Sequence, residues 1–467
     1  MKSLWYRIFI VLFILVFALP LVGVDAAQAA PKYTAVNVVL STDITPQILS
    51  TLGKYGKVLD KLVEIDSLTM KALTSKISTI EALPFVVAVS PDAVRNGSPV
   101  DTVPVADFSN GLSTWDMDAI NVTDFGFDNR QVEYDGTGVY VAVLDTGLVD
   151  SWRQYFPEER IAEDYAIAFG GGGGEVGFVS SQPEKWQHDQ NSHGTHVTST
   201  ILGYSLGGTP INGVAPMATV IPVKVLNQNG SGWSSVVARG ITYVADLKAG
   251  PLKDYPVVIN MSLGGPALDA MEEAAIIYAL DQGVIIVASA GNEGEAGMGY
   301  PGAYAPVISV AASGWKGEWP VVNNKVNRNW WNNTNVAEPT NPADFYIVDF
   351  SSRELPGQDL DVAAPGTWVV GPYQVNSGQL SYYFLGGTSM ASPHVAGIVA
   401  LMAQKDPAIN ANDAEVILEG SAIALAPGCL SVNGPSGVPI EYCWGADATG
   451  SGLATADGAL NYMELNP

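Results

Sequence analysis

Five short, largely apolar runs constrain this chain more than any other feature: residues 139–144, 220–226, 257–259, 284–288 and 307–311. Strands apolar on both faces must be covered on both, as in a parallel sheet between helices. Stretches with helical apolar spacing lie between them, at 196–202, 234–248 and 268–282. The alternation predicts an α/β fold, a doubly wound, mostly parallel sheet flanked by helices. In such sheets the functional residues gather at the carboxyl ends of the strands.

The chain before this region reads differently. Lys2 and Arg7 precede an apolar run at 8–19, and Ala27-Gln28-Ala29 is a small-x-small triplet. Residues 1–29 therefore read as a signal peptide, with secretion to the extracellular space as the expected fate. An uncleaved anchor is the competing reading, but the run is shorter than the ~20 residues that span a bilayer and Pro20 interrupts it. No stable membrane span is expected in the mature form. Residues 31–97 form a second unit. Within it, 35–40, 58–65 and 85–89 have strand patterns, and 45–55 and 68–80 have helical ones, a small α+β arrangement in β-α-β-α-β order. Residues 98–112, rich in turn formers, read as a linker that holds a processing site. The remainder, 113–467, is expected to be one catalytic domain with insertions near 166–187, 315–346 and 427–444.

Charge narrows the partners. Lys and Arg balance Asp and Glu over residues 1–110, so the formal net charge of −25 sits on the later part of the chain. Phosphates would be repelled, so no nucleic-acid partner is expected. An acidic surface leaves room for structural calcium. An oxidising destination makes Cys429 and Cys443, the only two cysteines, candidates for a disulfide.

Three segments carry chemistry. In Val141-Ala142-Val143-Leu144-Asp145-Thr146-Gly147 a carboxylate ends a buried strand; a turn cap would explain it equally well. Asn191-Ser192-His193-Gly194-Thr195-His196-Val197 opens a helix. Two histidines three apart suit a metal, but no third ligand cluster accompanies them. In Gly386-Gly387-Thr388-Ser389-Met390-Ala391-Ser392-Pro393-His394 a serine begins a long apolar helix after two glycines, and Pro393 is read as lying in its first turn. Asp, His and Ser follow one another in the order of the subtilisin triad.

On these motifs the chain resembles the subtilases, the subtilisin-like serine proteases. The likeness covers the chain from about Trp115 to its end. It extends to Gly213-Val214-Ala215-Pro216, Gly230-Ser231-Gly232, Asn260-Met261-Ser262-Leu263-Gly264, Ala290-Gly291-Asn292 and Ala363-Ala364-Pro365-Gly366. The resemblance implies a serine endopeptidase of broad specificity. Ser389 would be the nucleophile, His193 the base, and Asp145 the group that orients the ring and stabilises its charged form. Asn292 would donate to the oxyanion. Gly230, Ser231, Gly232, Ser262, Leu263 and Gly264 would pair with an extended polypeptide substrate. Trp233 and Glu293 would sit at the edges of its pockets.

The resemblance further implies that residues 31–97 are a ferredoxin-like propeptide, a folding aid and intramolecular inhibitor of a self-processing zymogen. The enzyme is expected to be a monomer with no cofactor for catalysis. His196 and His394 are expected to be structural, His188 exposed, and Ser392 a rival nucleophile without the Gly-Thr lead-in. Asp189 is read as bordering the cleft, with binding and structural roles both open. The stretch 202–212, where many relatives hold calcium, lacks their Asn-rich loop. A homologue without activity, serving as a binding module, is the alternative; a missing triad member would support it, and none is missing.

Overall fold

The computed structural model describes residues 32–104, 114–124, 129–170, 179–180, 182–326, 335–374 and 381–466. The expected signal peptide therefore lies outside the described residues. The N-terminal unit comprises β1 (Tyr33–Leu40), α1 (Pro46–Leu52), β2 (Gly56–Leu62), β3 (Ser67–Leu73), α2 (Ile77–Glu81) and β4 (Val86–Pro91). Its antiparallel sheet has the order β2-β3-β1-β4. The element order is thus β-α-β-β-α-β, with one strand more than the sequence pattern suggested. Residues 68–80 are not one helix: their first half is β3. Leu68, Met70 and Ala72 all face the unit's own core. Spacings of two and four satisfy a strand, and a spacing of four also satisfies a helix, so apolar residues at 68 and 72 read both ways.

The end of the 31–97 unit and the start of the linker are regular, while residues 105–112 lie outside the described residues. β5 (Val94–Asn96) and β6 (Asp101–Pro104) are strands whose partners lie far along the chain. After α3 (Trp115–Ala119) the apolar runs become β7 (Tyr140–Asp145), β11 (Thr219–Lys224), β13 (Val257–Met261), β14 (Val284–Ser289) and β15 (Ile308–Trp315). Between β7 and β11 lie β8 (Ile167–Ala168), α4 (His193–Leu202), β9 (Gly203–Leu206) and β10 (Thr209–Asn212). β12 (Ser231–Trp233) precedes α5 (Ser234–Ala249), and α6 (Ala270–Asp281) joins β13 to β14.

Later come β16 (Val321–Val322), β17 (Lys325–Val326), β18 (Phe345–Ile347), β19 (Val362–Pro365), β20 (Val369–Pro372) and β21 (Tyr382–Gly386). They are followed by α7 (Thr388–Lys405), α8 (Ala411–Ser421), β22 (Gly428–Asn433), β23 (Pro439–Trp444) and α9 (Ala456–Leu465). The eight-stranded sheet runs β18-β15-β14-β13-β7-β11-β8, with β19 also on β15. All its pairings are parallel except β15 with β18. One core joins the sheet to α4, α7 and α9, the other to α5 and α6, which is the doubly wound arrangement. The stretch 202–212 folds as the β9–β10 hairpin.

Two insertions are tied to the core. Cys429 and Cys443 face each other across β22 and β23 and form the expected disulfide. In the 315–346 insertion, Trp315 stacks on Trp115, and Trp319 packs against Trp368 and Phe384. Both are buried, as aromatic stapling would have it. Trp330 and Trp331 lie outside the described residues, as does most of the 170–174 glycine run.

Between these tryptophans sits Glu318, whose carboxylate accepts from Trp315 N, the Thr367 hydroxyl and the Tyr346 hydroxyl. Burial pushes its carboxyl up to about 8, and these bonds only partly offset that. The folded state keeps a proton that the unfolded chain, near 4.5, gives up. Stability from this site is full below the unfolded value and is lost as pH rises toward 8. Glu318→Gln mimics the protonated acid, its Nε2 donating to Tyr346. Thermal unfolding should show the variant near wild type at pH 5. At pH 9 it should be more stable by on the order of 1 kcal/mol, or about 2–4 °C. Equal melting at both pH values would refute the assignment.

The N-terminal unit docks on the starts of α5 and α6. Asp92 accepts from Ser235 N at 3.0 Å and from its hydroxyl at 2.9 Å, supplying an acidic cap from another part of the chain. Asn37 donates to Asp269, the cap of α6, at 2.9 Å. Asp60 pairs with Arg239 at 3.1 Å.

Candidate active site

Asp145, His193 and Ser389 lie far apart in sequence, and each ends or begins an element, with Asp145 and His193 in direct contact. Asp145 is the last residue of β7, His193 the first of α4, and Ser389 the second of α7. Two glycines allow the first two to approach. A Cβ on Gly194 would stand 2.4 Å from Gly147 O, and one on Gly147, at φ +88°, would stand 2.3 Å from Trp186 O. His193 Nδ1 lies 2.8 and 2.9 Å from the two oxygens of Asp145, and both side chains are fully buried. With a carboxylate on Nδ1, the ring holds its proton there and leaves Nε2 as the basic atom. That Nε2 is buried without a hydrogen-bond partner among the described residues. The Ser389 hydroxyl donates instead to Ser262 O at 3.2 Å.

Pro393 contributes to this geometry from inside α7, not from its first turn. A proline there cannot donate to the carbonyl four residues back, which is Ser389 O. The freed carbonyl accepts from the Ser262 hydroxyl at 2.8 Å, binding the 262–264 segment to the serine. Asn292 follows β14. Its Oδ1 accepts from Thr388 N at 2.9 Å and the Thr388 hydroxyl at 3.0 Å. Thr388 directly precedes Ser389, so this bond holds the Asn292 amide beside the start of α7. Glu293 accepts from Asn292 N at 2.7 Å and from the Ser352 hydroxyl, so its carboxylate steadies this loop.

The structure places Asp189 in a supporting position. It accepts from the Thr146 hydroxyl (2.6 Å), Asn191 N (2.9 Å) and Ser192 N (2.7 Å), the residues after Asp145 and before His193. Burial raises its carboxyl; Lys224 nearby and these bonds oppose that. Lys224 donates to Thr146 O and Leu226 O, while burial lowers its ammonium. Neither Thr146 nor Lys224 stood out in the sequence, because each acts through a neighbour. His196 is buried, bonded to Val369 O, and burial lowers it to about 3, so it stays neutral. His394 lies between Met390 O and Asp116, and Ser392 donates to Asn260. His188 is exposed.

The two predicted binding segments flank a strand of the chain itself. β5 runs antiparallel to β12, and Gly97 N donates to Gly230 O at 2.8 Å. On the other side Asn96 and Gly264 exchange both backbone bonds at 2.9 Å. Ser231 also donates to the Asn96 side chain. A Cβ on Gly97 would stand 3.4 Å from His193 Cε1. A Cβ on Gly230 would stand 2.4 Å from Gly97 O, so that carbonyl faces the Gly230 side. Beyond it, Val100 N donates to Gly386 O at 2.6 Å, and β6 continues on β21. The Ser98 and Pro99 carbonyls lie between these anchors, and that of Ser98 directly follows Gly97, the residue beside His193. Residues 94–104 thus thread the whole groove.

Two carboxylate groups could hold a cation: Asp118, Asp124 and Glu338, and Asp359, Asp361 and Glu415. Asp118 and Asp361 each have one buried oxygen without a partner among the described residues, and burial pushes both up to about 7. Among the described residues no helix is long and apolar enough to cross a membrane.

Comparison with known proteins gives a consistent picture. The family model for the subtilase family matches residues 136–451. The thermostable alkaline protease of Halalkalibacterium halodurans is 34% identical over 301 residues, covering 64% of this chain and 66% of that protein. Subtilisin DY of Bacillus licheniformis is 34% identical over 296 residues, covering 62% of this chain and 86% of that protein. Fervidolysin of Fervidobacterium pennivorans, described as a keratinolytic enzyme related to subtilisin, shares the fold with a TM-score of 0.65. Its identity is 24%, over 93% of this chain and 62% of that one. The chain thus spans just under two thirds of the first of these relatives and of fervidolysin. The S41 psychrophilic protease has a TM-score of 0.54 at 29% identity, over 74% of this chain and 99% of that chain.

Proposed function

The chain belongs to the subtilase family of subtilisin-like serine endopeptidases, and from that premise we propose that it is a secreted endopeptidase made as a self-processing zymogen. Ser389 attacks the peptide carbonyl while His193 Nε2 takes its proton and later returns it to the leaving amine. For this the hydroxyl must turn from Ser262 O to Nε2, and such bonds often form only with substrate in place. Asp145 holds the tautomer and stabilises the imidazolium. The Asn292 amide and Ser389 N receive the oxyanion, with the N-terminus of α7 adding a favourable dipole.

The observation that carries the reading is the strand at 94–97. It lies between Gly230–Gly232 and Ser262–Gly264 as an added strand, the mode in which an extended peptide is bound. Backbone pairing tolerates many sequences, which favours broad specificity. The same strand supports an inhibitory role for residues 31–97: the docked unit delivers its own chain to the cleft. Export rests on residues 1–29.

A sulfonyl fluoride tests the reading. The processed protein should hydrolyse casein, lose that activity on treatment, and carry the adduct on the peptide containing Ser389. Undiminished hydrolysis, or an adduct on another serine, would overturn it.

A further inference from the structure

The side chain that β5 buries most deeply is charged. Arg95 is 0% exposed. Its Nη2 lies 2.6 Å from Glu272 Oε2, its Nε is 3.2 and 3.3 Å from the two Glu272 oxygens, and Nη2 also donates to Ala267 O at 3.0 Å. Glu272 is on α6, part of the catalytic body, and its side chain is 0% exposed. Gly265 keeps the passage open: a Cβ there would stand 2.7 Å from Arg95 Nη1 and 3.4 Å from its Cδ.

We propose that this pocket is a specificity subsite of the mature cleft, in which Glu272 selects a basic side chain, arginine above all, four residues before the bond attacked. The proposal rests on the peptidase reading above. The register follows from the strand: Asn96 pairs with Gly264, Gly97 lies beside His193 and Ser98 carries the next carbonyl, so Arg95 is the fourth residue back with Ser98 as the first. When the N-terminal segment leaves, Glu272 loses the only ion-pair partner it has among the described residues. A buried carboxylate without a countercharge is costly, and a well-packed arginine restores both charge and hydrogen bonds. The planar fork matches a carboxylate and a carbonyl together, which an ammonium does less well. A neutral side chain leaves the carboxylate unpaired, so discrimination comes as much from penalising the wrong residue as from attracting the right one.

The test uses processed enzyme and 4-nitroanilides of Val-X-Asn-Gly-Ser, with X as arginine, lysine, citrulline or alanine. Citrulline keeps the shape of arginine without its charge. Arginine should exceed citrulline and alanine in kcat/KM by at least about tenfold, with lysine between. In Glu272→Gln the arginine-to-citrulline ratio should fall toward one. If that variant does not fold, the wild-type comparison decides alone. Dissociation constants of the free pentapeptide acids are measured in parallel. Equal kcat/KM and equal affinity for arginine and citrulline would overturn the subsite and leave the peptidase reading standing. Preferential binding of the arginine peptide by a protein that cuts none would uphold the pocket and sink the peptidase reading.

Discussion

Ser389→Ala is expected to fold, keep its N-terminal unit and lose essentially all hydrolysis. The loss in kcat should be about 10⁶-fold, the size of the loss when the nucleophile of subtilisin itself is removed. Retention of the unit follows from the groove. Residues 94–97 are held between the 231–233 and 264 segments, with Gly97 beside His193 and the Ser98 carbonyl next along the chain. Without the hydroxyl that bond has no attacker in its own molecule. The variant should therefore migrate about 8 kDa above the mature form, from the length of the segment and ordinary residue mass. His193→Ala should show the same shift. The first cut of the wild type is expected between 93 and 113. At Ser98 the leaving nitrogen is that of Pro99, a ring nitrogen that His193 must still protonate. N-terminal sequencing gives the bond directly. A mature N-terminus from purified Ser389→Ala, free of other proteases, would show that either the nucleophile or self-processing is wrongly assigned.

Asn292→Ala should lower kcat by about 10²–10³-fold with little change in KM, again a size known for the equivalent donor in subtilisin. The structure explains why the effect should fall on turnover. Oδ1 is held by Thr388 N and its hydroxyl. The amide nitrogen therefore stays in place without substrate and costs no reorganisation when the oxyanion forms. A group that binds the transition state and not the ground state moves kcat. Because the same side chain satisfies Thr388 N, thermal unfolding is measured alongside, to separate a disturbed α7 from a lost donor. A raised KM with unchanged kcat would count against the role.

The chemistry was more legible than the architecture that presents it. The contact of Asp145 with His193 was legible because each stands at a motif whose glycine packs against the other's, Gly147 against Gly194. The sheet was legible because β7, β11, β13, β14 and β15 are buried on both faces, which writes an apolar run directly into the chain. Asp189 could not be assigned. A carboxylate two residues from a loop looks the same whether it meets substrate or, as here, the backbone of Asn191 and Ser192. β3 was misread because its apolar spacing fits two periods. β6 was missed because its order comes from β21, nearly three hundred residues later in the chain.

By itself the sequence determined the fold class and the family, and it singled out Asp145, His193, Ser389 and Asn292 as the residues proposed to carry the chemistry. These are written in local periods and contiguous motifs, which depend on neighbours along the chain. Only the tertiary structure decided where the linker lies and what Arg95 meets. Pairing of β5 with β12 and with Gly264, and burial of Arg95 on Glu272, bring together residues more than a hundred positions apart. No local pattern encodes such a meeting, because its free energy exists only once the sheet and α6 have assembled the groove that the strand enters.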